Sequence, residues 1–171
     1  MKRAGIAVLV GCATPGTGPV IGTGQVTLNN DEVAMSAWME AASIFDDTMP
    51  DAPTVYFGWT VLFSQDPPGT SCKKVMYPSW TAQIVVASAS QGSTPEAAPI
   101  TPGTFTVADP AAPPNASVMK EGGVADHGSV TVTEFDDTHI TGTFSASGES
   151  TTIPPVLFRI DGSFDATRCD L

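Results

Sequence analysis

A chain of 171 residues with 18 acids against 7 bases has a net charge of −11, and such a surface repels nucleic-acid phosphates and anionic lipid headgroups. The length fits one domain with a real core. With 16 Gly and 15 Pro, abundant Thr and Ser, and little Lys, Glu or Leu, the composition disfavours helices and favours many short strands joined by turns.

Met1-Lys2-Arg3 is a short basic region, and Ala4 to Gly11 is an apolar run. At about eight residues that run is too short for a bilayer-spanning helix, which needs about 20. It closes as Leu9-Val10-Gly11-Cys12, which resembles the lipobox of bacterial lipoproteins. In that family a small residue precedes the cut and the thiol after it is lipidated to become the new N-terminus. The resemblance implies that residues 1–11 are a lipoprotein signal peptide, although the leader is shorter than usual. It also implies that Cys12 carries the lipid. Ala13, rather than Asp, at the next position resembles the choice that sorts such proteins to the outer membrane or cell surface. Cleavage would remove Lys2 and Arg3 and so take the net charge from −11 to −13. Residues 12–24 then read as the lipidated cysteine and a flexible small-residue tether, leaving 25–171 as a single all-β domain.

Between Glu32 and Phe45 two periods compete. Val33, Met35, Ala37 and Met39 alternate as in a strand, whereas Ala34, Trp38, Ala41 and Phe45 form a helical stripe. The expectation is a strand for the first half, with room for one short helix over Trp38 to Phe45. Thr54 to Phe63 places Val55, Phe57, Trp59, Val61 and Phe63 on one face. Thr81 to Ala87 and Thr104 to Val107 are shorter strands, and Pro67-Pro68, Pro99, Pro102 and Pro113-Pro114 rule out long helices.

Ser129 to Glu134 and Ile140 to Ala146 flank Phe135-Asp-Asp-Thr-His139 as a hairpin. Pairing Glu134 with Ile140 sets Val132 opposite Gly142 and Val130 opposite Phe144, which gathers the apolar residues on one face. A one-residue slip would expose half of them. Ile140-Thr-Gly-Thr-Phe-Ser-Ala146 recurs as Ile160-Asp-Gly-Ser-Phe-Asp-Ala166. Both copies put Ile, Gly, Phe and Ala on one face, as two adjacent antiparallel strands meeting one core would. The Gly between inward Ile and Phe predicts a bend or a close backbone approach in a curled sheet.

The hairpin Gly128-Ser-Val-Thr-Val-Thr with Ile140-Thr-Gly-Thr-Phe, together with the closing Asp161-Gly-Ser-Phe-Asp-Ala-Thr-Arg-Cys169, resembles secreted lipoproteins of myxobacteria and their relatives. The resemblance covers the C-terminal third well and the rest by layout only. It implies an antiparallel β-sandwich or a calycin-like barrel, and it implies no activity.

With Cys12 assigned to lipid, Cys72 and Cys169 remain as an even pair in an oxidising compartment, which points to a disulfide. It would pin the last strand to a mid-chain loop. A reactive or metal-binding thiol would want a histidine nearby, and there is none in the sequence around either cysteine. His127 and His139 fall near opposite ends of one hairpin arm, about 27 Å apart at 3.4 Å per residue, too far to share a metal. Asp46, Asp47 and Asp51 lie in a Pro-flanked loop that offers oxygen ligands for calcium, but their spacing matches no EF-hand, and Asp is also an ordinary turn residue. Asp136-Asp137 is a second, weaker pair of this kind. Of Trp38, Trp59 and Trp80, Trp59 sits on the inward phase of its strand, and Trp80 is the candidate exposed ring for ligand contact. Asn115-Ala-Ser matches a glycosylation sequon, which a bacterial lipoprotein has little reason to use.

The sequence contains no Gly-x-Ser-x-Gly elbow, no phosphate-cradling loop ending in Gly-Lys-Ser/Thr, and no His-Glu-x-x-His. The expected function is a non-enzymatic structural or partner-binding surface module. It would be a monomer with no cofactor, touching the membrane through its lipid and meeting an unidentified protein or small-molecule partner, not nucleic acid. A small-ligand carrier is the alternative if the sheet closes around a cavity, and an enzyme ranks last.

Overall fold

A computed structural model describes residues 19–46, 54–67, 70–72, 80–87, 99–107 and 115–169. These residues form nine strands and no α-helix: β1 (Gly22–Leu28), β2 (Asp31–Asp46), β3 (Thr54–Ser64), β4 (Trp80–Ala87), β5 (Gly103–Val107), β6 (Asn115–Lys120), β7 (Gly123–Phe135), β8 (His139–Ser150) and β9 (Leu157–Arg168). They pair in the order β1-β2-β3-β4-β6-β5-β7-β8-β9, and β9 returns to β1 to close a barrel. Of the two expected all-β architectures, the ring of pairings is that of the barrel.

Two short strands act as wedges in this ring. β1 separates β2 from β9 along half of the wall, and where it stops β9 pairs directly and in parallel with β2, at Trp38↔Thr167 and Met39↔Arg168. Likewise β6 and β7 form a hairpin at Met119↔Val124, then splay, and β5 fills the gap with a parallel edge to β6 and an antiparallel edge to β7. Each wedge keeps the backbone groups of splayed strands hydrogen-bonded, which buried backbone requires.

The interior explains the repeated Ile-x-Gly-x-Phe-x-Ala segment. Because β8 and β9 run antiparallel, the two copies meet head to tail: Ile140↔Ala166, Gly142↔Phe164, Phe144↔Gly162, Ala146↔Ile160, and then Gly148↔Phe158. Every large inward residue faces a small one. A Cβ on Gly142 would lie 2.6 Å from Phe164 Cζ, and one on Gly162 would lie 2.6 Å from Phe144 Cε1, while each would also collide with a backbone carbonyl of the strand on its other side. The same rule extends across the lumen. Phe63 from β3 covers Gly24 of β1 and packs against both Phe144 and Phe164, at centroid distances of 5.5 and 6.4 Å. Phe158 covers Gly123 of β7. A strand glycine costs about 0.5–1 kcal/mol on its own, and a cross-strand ring laid over it recovers packing and excludes water.

Along β8, Ile140, Gly142, Phe144, Ala146 and Gly148 are buried while Thr143, Ser145, Ser147 and Glu149 are exposed. This apolar-in, polar-out alternation is the reverse of a lipid-embedded barrel. A second, smaller core lies outside the wall. Ile21, Trp38, Leu62, Cys72 and Cys169 pack together where the chain before β1 and the loop after β3 cross the outer face of β2 and β3. The disulfide Cys72–Cys169, with Cα atoms 5.4 Å apart, ties that cover to the end of β9.

Three expectations are corrected. No helix forms over Trp38 to Phe45, since β2 runs unbroken from Asp31 to Asp46. Met35, Ala37 and Met39 point inward, while Ser36 and Trp38 of the opposite phase are buried by the outer cover. Burial on both faces makes a strand apolar all round and so imitates a helical stripe. The hairpin register holds at Val132↔Gly142 and Val130↔Phe144 but not at Glu134, because a bulge at Thr133 brings Phe135 opposite Ile140. The bulge turns an aromatic ring, not a carboxylate, toward the core, and Phe135 packs on Trp59 at 5.5 Å. Finally, β1 starts at Gly22, inside the stretch 12–24 assigned to the tether. Its glycines look like spacer residues, yet they are the close-approach positions of a wall strand.

Two outcomes follow for stability, measured by urea unfolding. Gly162→Ala should cost about 1–3 kcal/mol or more through overpacking, and Phe144→Ala about 3–5 kcal/mol, while Thr143→Ala on the outer face should stay within about 0.5 kcal/mol. Replacing both Cys72 and Cys169 with Ala should cost about 2–5 kcal/mol, because the bond closes a long loop, with its ends 97 residues apart.

Candidate functional site

Among the described residues, the site candidates are an exposed loop and a groove in the barrel wall. Among the described residues no Asp, Glu, His, Lys or Arg side chain is buried, and the buried polar residues are Ser36, Thr60, Ser64 and Ser117.

The first candidate is the loop joining the two repeat copies. After β8 the chain runs Thr151-Thr152-Ile153-Pro154-Pro155-Val156 into Leu157, and Ser150 to Phe158 holds no charged residue. Ser150 N donates to Val156 O at 2.9 Å, and Val156 N donates back to Ser150 Oγ at 2.9 Å. Ser150 Oγ and Thr152 Oγ1 lie 2.6 Å apart, and Thr152 Oγ1 donates to Pro154 O at 3.1 Å. Thr151 N donates to Gly122 O on the neighbouring turn at 2.8 Å. The loop thus satisfies its polar backbone with its own hydroxyls and turns its aliphatic side chains outward. Ile153 is 99% exposed, Leu157 76% and Val156 59%. Single exposed aliphatics are ordinary, but three within five residues of a hydrogen-bonded tip form a patch.

The second candidate is a groove of about 420 Å³ crossing β9, β1 and β2. Thr23, Gln25, Ala34, Ser163 and Asp165 line it together with Gly24, Met35 and Phe164. Gln25 Nε2 donates to Glu32 Oε1 at 2.8 Å, and Asp165 Oδ1 meets His139 Nε2 at 3.0 Å. The rim is therefore polar and its acids are already paired.

The remaining polar clusters are accounted for by local structure. Asp136 Oδ1 accepts from Thr138 N at 2.6 Å, Thr138 Oγ1 at 2.7 Å and His139 N at 2.8 Å, which makes Asp136 the pivot of the β7–β8 turn. Those donors, the Thr138 hydroxyl foremost, hold its carboxyl below the ordinary value near 3.8. His127 Nδ1 lies 2.7 Å from Asp126 Oδ1, and this hydrogen bond lowers the pKa of the exposed Asp126. Arg159 Nε donates to Asp161 Oδ2 at 2.7 Å, which depresses the Asp161 pKa and raises that of Arg159. Exposed pairs of this kind contribute little. His127 pairs with Ser147, eight residues along β8 from His139, so the two histidines stay about 27 Å apart as expected.

The residues singled out in the sequence fare unevenly. Trp59 is core, as expected, and Arg168 lies 5.0 Å over its ring. Trp38 is buried in the outer cover and donates from Nε1 to Glu40 Oε1 at 2.7 Å. Trp80 opens β4 opposite Ser64, and its side chain is outside those described. Asp46 ends β2 opposite Thr54, while Asp47, Asp51 and Cys12 lie outside the described residues. Among the described residues, no three His, Cys, Asp or Glu side chains converge as a metal site. Sequence reasoning missed the tip at Ile153 to Leu157, although an uncharged run with two prolines between two strand copies was its visible signal. It also missed the groove, whose residues come from three strands. No family model, no curated protein and no solved structure matches the chain.

Asp136 supplies a pH test. A depressed carboxyl stabilises the fold above its ordinary value near 3.8, and that contribution disappears as pH falls through the lower folded-state value. The gap in urea midpoint between the native chain and Asp136→Ala should therefore be widest above pH 3.8 and narrow steadily below it.

Proposed function

We propose that this chain is an exported bacterial lipoprotein, held at the outer membrane or cell surface through Cys12, that works as a non-enzymatic partner-binding module. The observation that supports this reading is the apolar interior among the described residues, where phenylalanine rings are packed over glycines of the opposing strands and no ionisable side chain is buried. The molecule offers an apolar tip at one end and, on one side, a groove with polar residues at its rim and a largely apolar lining. The acidic balance favours a monomer that keeps away from nucleic acid and from anionic surfaces. The disulfide-tied cover suits an oxidising compartment outside the cytoplasm.

The test has two parts. Expressed in a Gram-negative host with a clickable fatty acid, the protein should take up the label and fractionate with membranes, and Cys12→Ser should lose both properties. A native mass spectrum of the detergent-extracted protein should show the lipidated polypeptide alone. A stoichiometric small organic species that survives extraction would instead make the protein a carrier.

A further inference from the structure

The apolar tip has to be reconciled with a surface that is otherwise polar and acidic. We infer that Ile153, Val156 and Leu157 form a second membrane contact, inserted into the headgroup layer of the same bilayer that Cys12 enters; this inference rests on the lipoprotein reading above. The tip is suited to that interface in three ways.

First, it carries no charge, and it is the one place among the described residues where several large aliphatic side chains next to one another in sequence are exposed. Burying exposed aliphatic area is what drives interfacial binding. Second, its surroundings carry both signs of charge in a chain with 18 acids and 7 bases. Lys120 and Glu121 lie at the turn that Thr151 caps, Glu149 just before Ser150, Arg159 with its partner Asp161, and Asp31 just past Asn29, which bonds to Arg159. The two bases offset part of that acidity, which lowers the electrostatic opposition at a lipid surface. Third, the loop is ordered in advance by its own hydrogen bonds, so inserting it costs little conformational entropy.

The anchor sets the pose. Six residues lie between Cys12 and Pro19, and the seven residue steps reach at most about 25 Å. Pro19 O accepts from Cys72 N, beside Cys169 at the far end of β9, while Leu157 begins that strand. Twelve residues of strand place the tip at most about 40 Å from the anchored corner. With the tip in the headgroup layer, the barrel would be attached to the bilayer at two points, the lipid and the tip.

The experiment uses the lipidated protein, extracted from its host and reconstituted into phosphatidylcholine vesicles. An environment-sensitive fluorophore is attached at Ile153→Cys, with Thr143→Cys on the outer face of β8 as the control. The inference expects the label at position 153 to shift to shorter wavelength on vesicles and to be quenched by headgroup-proximal nitroxide lipids, while the label at 143 stays in water. Protein that floats with the vesicles but keeps a water-exposed label at 153 overturns the inference and leaves the lipoprotein reading standing. Protein that fails to float overturns both. A shift that develops with protein concentration in the absence of lipid would assign the tip to self-association. A shift on native outer membranes but not on pure lipid would assign it to a protein partner. Either result overturns the lipid contact.

Discussion

The constraint on which the rest of this structure depends is the fit of phenylalanine rings over glycines inside a closed barrel. A barrel wall curls only where neighbouring backbones approach closely, and side chains obstruct that approach on the concave side. Gly142, Gly162, Gly24 and Gly123 remove the obstruction, and Phe164, Phe144, Phe63 and Phe158 fill the space left over them. Curvature and core filling are thus one arrangement. With glycine alone the lumen would be loose and the strands frayed, and with rings alone the wall could not close.

The same arrangement explains why the repeated segment occurs twice. Two identical strands laid antiparallel with the pattern large-small-large-small become complementary, because reversing the copy brings Phe onto Gly and Ile onto Ala. Around this pair the remaining wall is completed by wedge strands, not by full-length ones. Once β1 has ended, β9 must reach β2 alone, and this is the corner that the outer cluster of Ile21, Trp38 and Leu62 and the Cys72–Cys169 bond reinforce. The disulfide therefore sits beside the seam where β9 meets β2 directly through Trp38↔Thr167 and Met39↔Arg168.

Among the described residues the ionisable groups all lie on the exterior. The surface chemistry is mostly that of turns and solvated pairs: Asp136 organises a hairpin, and Asp126, Asp161 and Arg159 hold exposed partners. Against that background the uncharged, internally braced tip at Ile153 to Leu157 stands apart. Its polar groups are satisfied within the loop, so its outward aliphatic side chains are a structural choice and not a consequence of strain or of missing partners.

Much of the fold was legible in local pattern. Alternation, β-branched and aromatic strands, and Pro and Gly punctuation were enough for the all-β class, and the period of two fixed the inward face of β8 and β9 and most of the hairpin register. With Cys12 set aside in a lipobox-like leader, Cys72 and Cys169 were an even pair, and the structure bonds them. What only the tertiary structure decided depends on contacts between distant segments. β2 looked half helical because a loop 30 residues away buries its outer face. Gly22 and Gly24 looked like spacer residues because they are wall positions only in the presence of β9. A single bulge at Thr133 reset the last pair of a hairpin that alternation alone had placed. Closure itself was invisible to periodicity. Alternation records which way a side chain points, whereas the ring of hydrogen bonds records which strand comes back to meet the first.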